Sequence, residues 1–459
     1  MSDHDTKTAA TRASRPIYER PTIVRHQLGM MNKFARAQAI EPMTRIDGVA
    51  VADLVAAYGS PLFVFSEAEI VRRYRELHDY LALRHPRVRL AWSYKTNYLD
   101  AICRIFQREG ALAEVVSEFE YDKALRLGFR PDEIHFNGPD KSEEVLLRAL
   151  PAGTIIHVDN FDELAAIEAI ARRLKIRPRV ALRLNLAVTG ATPWSRFGFN
   201  LESGQARDAV RRLLAGGALE LCGLHAHIGT FILEVGAYRE LAEKIAGFAN
   251  ELRAELGVIL EFLDLGGGFA SHNTLKAQYL PGEQATPSLA RYVEAIAEGL
   301  AALQYPPAEA PTLILEAGRA LVDDAGSLIA TVRANKRLPD GRRGVVLDAG
   351  VNLLFTAFWY NHDVVPAQAF HGMPEPTVLY GPLCMNIDVL REHLVFPPLE
   401  VGDRLVFRNV GAYNVTQWLQ FITYRPAVAL IGRGGQHGEI RRREDLDALV
   451  RYEAIPAWL

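Results

Sequence analysis

Lysine is among the side chains least often buried without a partner. Lys95 nevertheless sits in LAWSYKTNYLD, residues 90–100, at the end of an apolar run. An ammonium carried to the end of a buried strand is either neutralised by an ion pair or used as an amine. Other polar groups end apolar runs in the same way: His225 and His227 in HAHIGT (225–230), the glycines of GGGF (266–269), and Glu316 and Arg319 in EAGR (316–319). Each has an ordinary reading. Consecutive glycines make a tight turn as readily as a cradle whose N–H groups approach a phosphate. Histidines at alternate strand positions share a face, where they form a hydrogen-bonded core feature or half of a metal site, and no third ligand lies nearby in sequence. Glu316 and Arg319 could be a surface ion pair. Together they describe one chemistry. A lysine amine, a glycine and arginine cradle for phosphate, an imidazole and a carboxylate are what pyridoxal 5′-phosphate asks of a protein. A carboxylate at the pyridine nitrogen keeps that nitrogen protonated, an electron sink suited to loss of carbon dioxide from an α-carbon.

The elements that must position these groups follow a regular grammar between residues 85 and 320. Short apolar strands (RLAWSYK, LAEVV, EIHFNG, TIIHVDN, RVALRLN, LCGLHAHIG, FLDLGGG, TLILEAG) alternate with helical periodicity, as in FDELAAIEAIARRLK at 161–175 and YRELAEKIAGFANELRAEL at 238–256. Such alternation predicts a parallel sheet closed as a (β/α)8 TIM-like barrel, with the chemistry at the carboxyl ends of its strands. A doubly wound open sheet is the alternative, disfavoured by the absence of a dinucleotide-type GxGxxG. After about residue 330, short strands such as GRRGVVLDAG, TVLYGP and DRLVFRNVG are separated by Gly/Pro turns, which predicts a C-terminal all-β domain, sandwich- or barrel-like. PLFVFSE, at 61–67, fits either domain. The expected division is an N-terminal extension (1–50), the barrel (51–330) and the β domain (331–459).

The 459 residues carry a formal net charge of -3, with 49% hydrophobic and 23% charged residues. This composition fits a globular protein of two or three domains and recommends neither a nucleic-acid nor a membrane partner. No apolar stretch approaches the roughly 20 residues of a membrane helix. The first residues read as an extension rather than a secretory signal, with IVRHQLGMMNKFA expected to dock on the body or on a partner subunit. Three well-separated cysteines, Cys103, Cys222 and Cys384, form neither a disulfide framework nor a metal-ligand spacing and fit a reducing, cytoplasmic setting.

In the order SYKTN, LRLN, SRFG, GLHAHIGT, LDLGGGF, EAGR, DAGVN, GPLC and VGAYN, the chain resembles the alanine-racemase-fold, pyridoxal-phosphate-dependent decarboxylases, over about residues 60–430. That group includes diaminopimelate decarboxylase and eukaryotic ornithine decarboxylase, and the resemblance is closer to the diaminopimelate type. It implies Lys95 as the Schiff-base lysine, His227 stacked on the pyridine face and His225 in a structural role. Thr230, Gly267, Gly268, Arg319 and Tyr413 would hold the phosphate, and Glu316 the ring nitrogen. Cys384 would enter from the other subunit of a homodimer with shared active sites, and either it or Lys95 would be the proton source for the α-carbon. The implied reaction is α-decarboxylation through an external aldimine and a quinonoid.

The departures concern substrate. Where diaminopimelate decarboxylases carry a carboxylate-clamping arginine after DAG-x-N, this chain has Thr356, and after the GPLC cysteine it has Met385 in place of a glutamate that grips a distal amine. The SGGE loop reads SEFE (117–120) and EPGR reads EAGR. Losing both clamps removes charge-assisted hydrogen bonds worth on the order of 1.5–3 kcal/mol each. The expected substrate is therefore a small-molecule amino acid, free, conjugated or carrier-bound, other than free meso-diaminopimelate. Thr356, Met385 and Tyr360 are expected to line its pocket, with Trp359 a weaker candidate. The alternatives are a racemase or epimerase, which Glu316 opposes because racemases of this fold place an arginine at the ring nitrogen, and an inactive decarboxylase-like binding protein. RRRED (441–445) reads as a solvated helix start and DLDALVRYEAIPAWL as a helix followed by a tail.

Overall fold

The computed structural model describes residues 40–459; the predicted docking segment before them lies outside the described residues. Eight parallel strands form the barrel: β1 (Val88–Ser93), β2 (Leu112–Val115), β3 (Ile134–Phe136), β4 (Ile155–Val158), β5 (Arg179–Asn185), β6 (Glu220–Ala226), β7 (Phe262–Asp264) and β8 (Thr312–Leu315). Pairing runs in chain order, and β8 returns to β1 through Leu313↔Val88, Ile314↔Arg89 and Leu315↔Leu90, so no sheet edge is left open.

Helices fill the outer layer where apolar periodicity placed them. The one at Phe161–Leu174 buries Leu164, Ile167, Ile170 and Ala171, a stripe at helical spacing. It starts at Asn160, whose side chain accepts from Glu163 N at 2.9 Å, and stops at Lys175 in the left-handed region at φ 57°.

The two-residue period of a strand explains the barrel interior. An apolar floor is built by Ala91, Leu112, Ile155, Ala181, Cys222, Phe262 and Ile314. Two residues further along six of these strands come Ser93, Glu114, His157, Arg183, Asp264 and Glu316, while β6, bulged between Leu221 and Gly223, brings His225 instead. A layer of polar side chains therefore lies directly above an oily one, at the carboxyl ends of the strands. The floor is closed by the Phe262 ring, which occupies the space a side chain at Gly223 would need: a Cβ there would sit 2.3 Å from it.

The second sheet is not purely C-terminal. Leu62–Ser66, the segment that fitted either domain, pairs antiparallel with the long strand Gly326–Arg337 and parallel with Ala427–Ile431. Against the expected boundaries at residues 50 and 330, this sheet takes a strand from ahead of the barrel and opens at Gly326. All of Leu62–Ser66 is buried, and Leu62 and Val64 pack with Ile329, Val406, Ala427 and Ile431, which is why so apolar a strand precedes the barrel. Arg441 of RRRED ends a strand, and the helix that follows, Leu446–Val450, is capped by Asp445. Among the described residues no helix is long and apolar enough to cross a membrane.

Candidate active site

Above the polar layer opens a cavity of about 540 Å³. Its wall brings together, from different strand ends, Lys95, His225, His227, Thr230, Gly268, Glu316 and Arg319, and from the β domain Thr356, Trp359, Tyr360 and Tyr413. Three candidates are absent from it. Cys384 is solvent-exposed, and Met385 follows it in the same turn; neither lines the cavity of this chain. Gly267 is also off the wall. Its N–H donates to His227 Nδ1 at 3.0 Å, so it is not free for a phosphate.

That bond gives His227 its role as a fixed, neutral ring. With Nδ1 accepting, the ring proton belongs on Nε2. Burial, then the charges of Lys95 and Arg183, push its pKa down to about 3. A Cβ on Gly267 would lie 2.1 Å from the Glu316 backbone oxygen, and one on Gly268 2.2 Å from Gly229 O. Only glycine lets these three turns touch.

Lys95 is half-buried, and its Nζ contacts Glu114 Oε2 on the neighbouring strand, where Ser93 and Glu114 are register partners. Burial favours the neutral amine, but Glu114, Glu316 and Tyr413 outweigh it and hold the ammonium above its ordinary pKa. Of the two readings of Lys95 in the sequence, the ion pair is the one seen here.

Glu316 lies under a histidine row. His225 Nε2 is 3.2 Å from Glu316 Oε2, the His157 ring centroid is 4.9 Å from that of His225, and His157 Nε2 is 2.9 Å from His135 Nδ1. Burial opposes ionisation of Glu316, yet His225 and Lys95 hold its carboxyl well below the usual range. Asp264 moves the other way: burial and then the Glu316 charge raise it well above. The two buried carboxyls thus shift in opposite directions, Asp264 toward its protonated form and Glu316 toward its charged one. The missing third partner for a histidine is present after all, since ligating atoms of His157, His225, Asp264 and Glu316 lie within 4.8 Å of one another. His227 is not among them. Folding from four strands, not spacing, brings these residues together.

Arg319 completes the fit for a phosphorylated cofactor. Its Nε and Nη1 are buried without hydrogen-bond partners, and its nearest carboxylate, Asp323, is 3.7 Å away. Phe231, Tyr360 and Tyr413 surround the guanidinium, with ring centroids 5.6, 5.2 and 4.7 Å from it. Buried donors without acceptors are costly, and an anion in the cavity would satisfy them. Tyr413 is held there by its N–H to Thr96 O at 2.9 Å, with its backbone in the left-handed region at φ 62°.

Thr356 does not present its hydroxyl to a ligand. Its Oγ1 is 2.8 Å from both Asn414 Oδ1 and His362 Nε2, and the residue is buried. The bulkier residues of SEFE leave the cavity alone as well: Glu118 pairs with Arg148 at 2.6 Å, and Phe119 packs edge-on against Tyr98. Glu114, Asn137, Arg183 and Trp194 line the cavity without having been singled out in sequence. For Glu114 and Arg183 a signal existed, a charge at an alternate position of an otherwise apolar strand. For Trp194, whose ring is 5.3 Å from His227, there was none.

Comparison with known proteins agrees with this geometry. Residues 67–323 match the family described as pyridoxal-dependent decarboxylase, pyridoxal binding domain. The diaminopimelate decarboxylase of Bacillus subtilis (strain 168) is 30% identical over 422 residues, 89% of this chain and 94% of that protein. A crystal structure of M. jannaschii diaminopimelate decarboxylase in complex with L-lysine superposes with a TM-score of 0.83 at 28% identity, covering 92% of this chain and 98% of that one. The lysine/ornithine decarboxylase of Vibrio vulnificus, complexed with putrescine, shares the fold at a TM-score of 0.71 and 23% identity, covering 84% and 98%.

Proposed function

Because the chain belongs to the pyridoxal-dependent decarboxylases, we propose that it removes the α-carboxylate from an amino acid other than free meso-diaminopimelate, whether free, conjugated or carrier-bound. That it is a pyridoxal-phosphate enzyme of the carboxy-lyase type follows from the family; the substrate and the residue roles are our reading.

Pyridoxal phosphate supplies the sink for the electron pair left when the α-carboxylate departs. On this reading Lys95 would provide the amine that binds its aldehyde, and the guanidinium of Arg319, whose Nε and Nη1 lack partners, would hold its phosphate with Thr230, Gly268 and Tyr413. Glu316, kept ionised by His225, holds a proton on the ring nitrogen, which favours decarboxylation over racemisation. His227, neutral and fixed by the Gly267 N–H, would hold the ring. Trp194 and Trp359 also line the cavity. Cys384, exposed here, reaches the cavity of a second copy in a homodimer and delivers a proton to the α-carbon; Met385 beside it offers no carboxylate to a distal amine.

One observation carries the substrate assignment. The hydroxyl of Thr356, where a substrate-clamping arginine is expected in a diaminopimelate decarboxylase, is already bonded to Asn414 and His362. The names of the relatives support the rival reading, free meso-diaminopimelate itself. Incubating the loaded enzyme with meso-diaminopimelate and measuring lysine decides between them, with Lys95→Ala as the blank. Turnover comparable to a known diaminopimelate decarboxylase assayed alongside would overturn the proposal. Carbon dioxide release from another amino acid in a screen, without lysine formation, would support it.

A further inference from the structure

We propose that Glu114 is the acid–base partner of Lys95: it takes the ammonium proton from Nζ and passes it to the departing oxygen when Lys95 condenses with the cofactor's aldehyde, and it relays a proton from the incoming ammonium to Nζ when the substrate displaces the lysine. The inference rests on the cofactor assignment above and concerns a residue with no role there.

Condensation has a proton problem at this site. Only the neutral amine carries the lone pair that attacks an aldehyde, yet the environment of Lys95 favours the ammonium. Glu114 creates this difficulty and is also placed to relieve it. Its Oε2 touches Nζ, the residue is 1% exposed, and no other carboxylate is hydrogen-bonded to that nitrogen among the described residues. The other carboxylate oxygen is occupied: Asn137 Nδ2 donates to Glu114 Oε1 at 3.2 Å and also to Glu316 Oε1. Asn137 therefore pins Glu114 on the side away from the lysine and leaves Oε2 facing Nζ. It also spaces two buried carboxylates that would otherwise repel each other.

The remaining titratable groups around the pair do not serve. Glu316 is committed to the ring nitrogen on this reading, and Asp264, shifted toward its protonated form, is a poor base. Tyr413 comes from the β domain on the phosphate side. Glu120, on the helix after β2, accepts from Val116 N at 2.8 Å through its Oε2. Burial first, then the charge of Glu114, raise the Glu120 carboxyl to about 7.

The balance is simple. Nζ–H gives its proton to Glu114 Oε2, and the nitrogen lone pair forms the bond to the aldehyde carbon. The former carbonyl oxygen takes up that proton and one from the nitrogen, and leaves as water. No oxidant or further reactant enters. Because the proton passes directly within the ion pair, the condensation does not wait for solvent to deprotonate the lysine.

This sets the shape of a pH profile. Apoenzyme is mixed with pyridoxal phosphate, samples are quenched with borohydride at timed intervals, and the pyridoxyl-modified peptide containing Lys95 is quantified from pH 6 to 9. In the wild type the trapping rate is expected to be nearly flat. In Glu114→Gln it falls on the order of 10²-fold at neutral pH, the usual contribution of a positioned acid or base. It then rises with pH, because solvent must now remove the proton, until it levels off at the Lys95 pKa, which loss of the Glu114 charge lowers. Glu114→Asp keeps a carboxylate at greater distance and keeps the flat profile at a reduced rate. If Glu114→Gln does not fold, as judged by circular dichroism, Glu114→Asp against Asn137→Asp carries the same comparison: on the proposal the former stays flat while the latter, which repels the pair of carboxylates, slows without gaining a slope. A flat, wild-type-like rate in Glu114→Gln, or a sloped profile in Glu114→Asp, overturns the assignment. Failure of the wild type to trap any cofactor would instead refute the cofactor reading.

Discussion

Replacing Arg319 by methionine separates what the guanidinium does for the cofactor from what it does for the fold. The side chain is 9% exposed, with Nε and Nη1 unpartnered. Two charge-assisted hydrogen bonds to a phosphate, at about 1.5–3 kcal/mol each, give a loss of roughly 3–6 kcal/mol in cofactor binding. At about 1.4 kcal/mol per tenfold, this is a ~10²–10⁴-fold rise in Kd. The apoprotein should lose little, because methionine removes a buried, unsatisfied cation and keeps the apolar stem among the three rings. Asp323 loses its nearest cation but keeps hydrogen bonds from Ser271, Asn273 and the Ala412 N–H. Its carboxyl, already raised to about 6 by burial against the opposing Arg319 charge, is free to take up a proton. Fluorescence titration with pyridoxal phosphate, together with thermal melts of apo and loaded protein, reads both effects. Expected are an apo Tm close to wild type and a loaded Tm that no longer rises at cofactor concentrations saturating the wild type. A Kd within about threefold of wild type would refute the argument that these orphaned donors await an anion.

Thr356→Val, nearly the same shape, leaves His362 Nε2 without a partner and Asn414 Oδ1 with only the backbone N–H of residue 356 at 3.2 Å, and should cost about 1–3 kcal/mol in urea denaturation of the apoprotein while leaving cofactor binding unchanged. His362 is pushed down to about 3 by burial and then by Arg391 and Arg319, so its stabilising contribution is present above the unfolded pKa near 6.5 and is lost as pH falls toward 3. The stability gap between wild type and His362→Asn should therefore shrink by about 1.4 kcal/mol per pH unit below 6.5; a gap constant from pH 7.5 to 5 would sink the claim that this histidine is neutral when folded. Gly267→Ala drives a Cβ against the Glu316 backbone and should cost roughly 1–3 kcal/mol as well as cofactor affinity, because the turn that fixes His227 must shift. Wild-type affinity in a folded Gly267→Ala protein would show that the contact is not needed.

Much of this protein was legible before folding because its signals are local. Apolar strands alternating with amphipathic helices specify a barrel, since the periods of 2 and 3.6 residues decide which side chains can share a face. Lys95, Glu316 and Arg319 stood out because each ends an apolar run with a charge, and strands of a parallel barrel present their carboxyl ends to one rim. The tertiary structure decided what those charges do there. Glu114 reaches Lys95 only because β1 and β2 pair with Ser93 opposite Glu114; Gly267 spends its N–H on His227, 40 residues earlier in the chain. Thr356 is closed off by Asn414, 58 residues later, and Leu62–Ser66 finds its place only when Gly326–Arg337 and Ala427–Ile431 close around it. A hydrogen bond has a range of about 3 Å, so who holds whose proton depends on distances between strands, and those are set when the sheet closes.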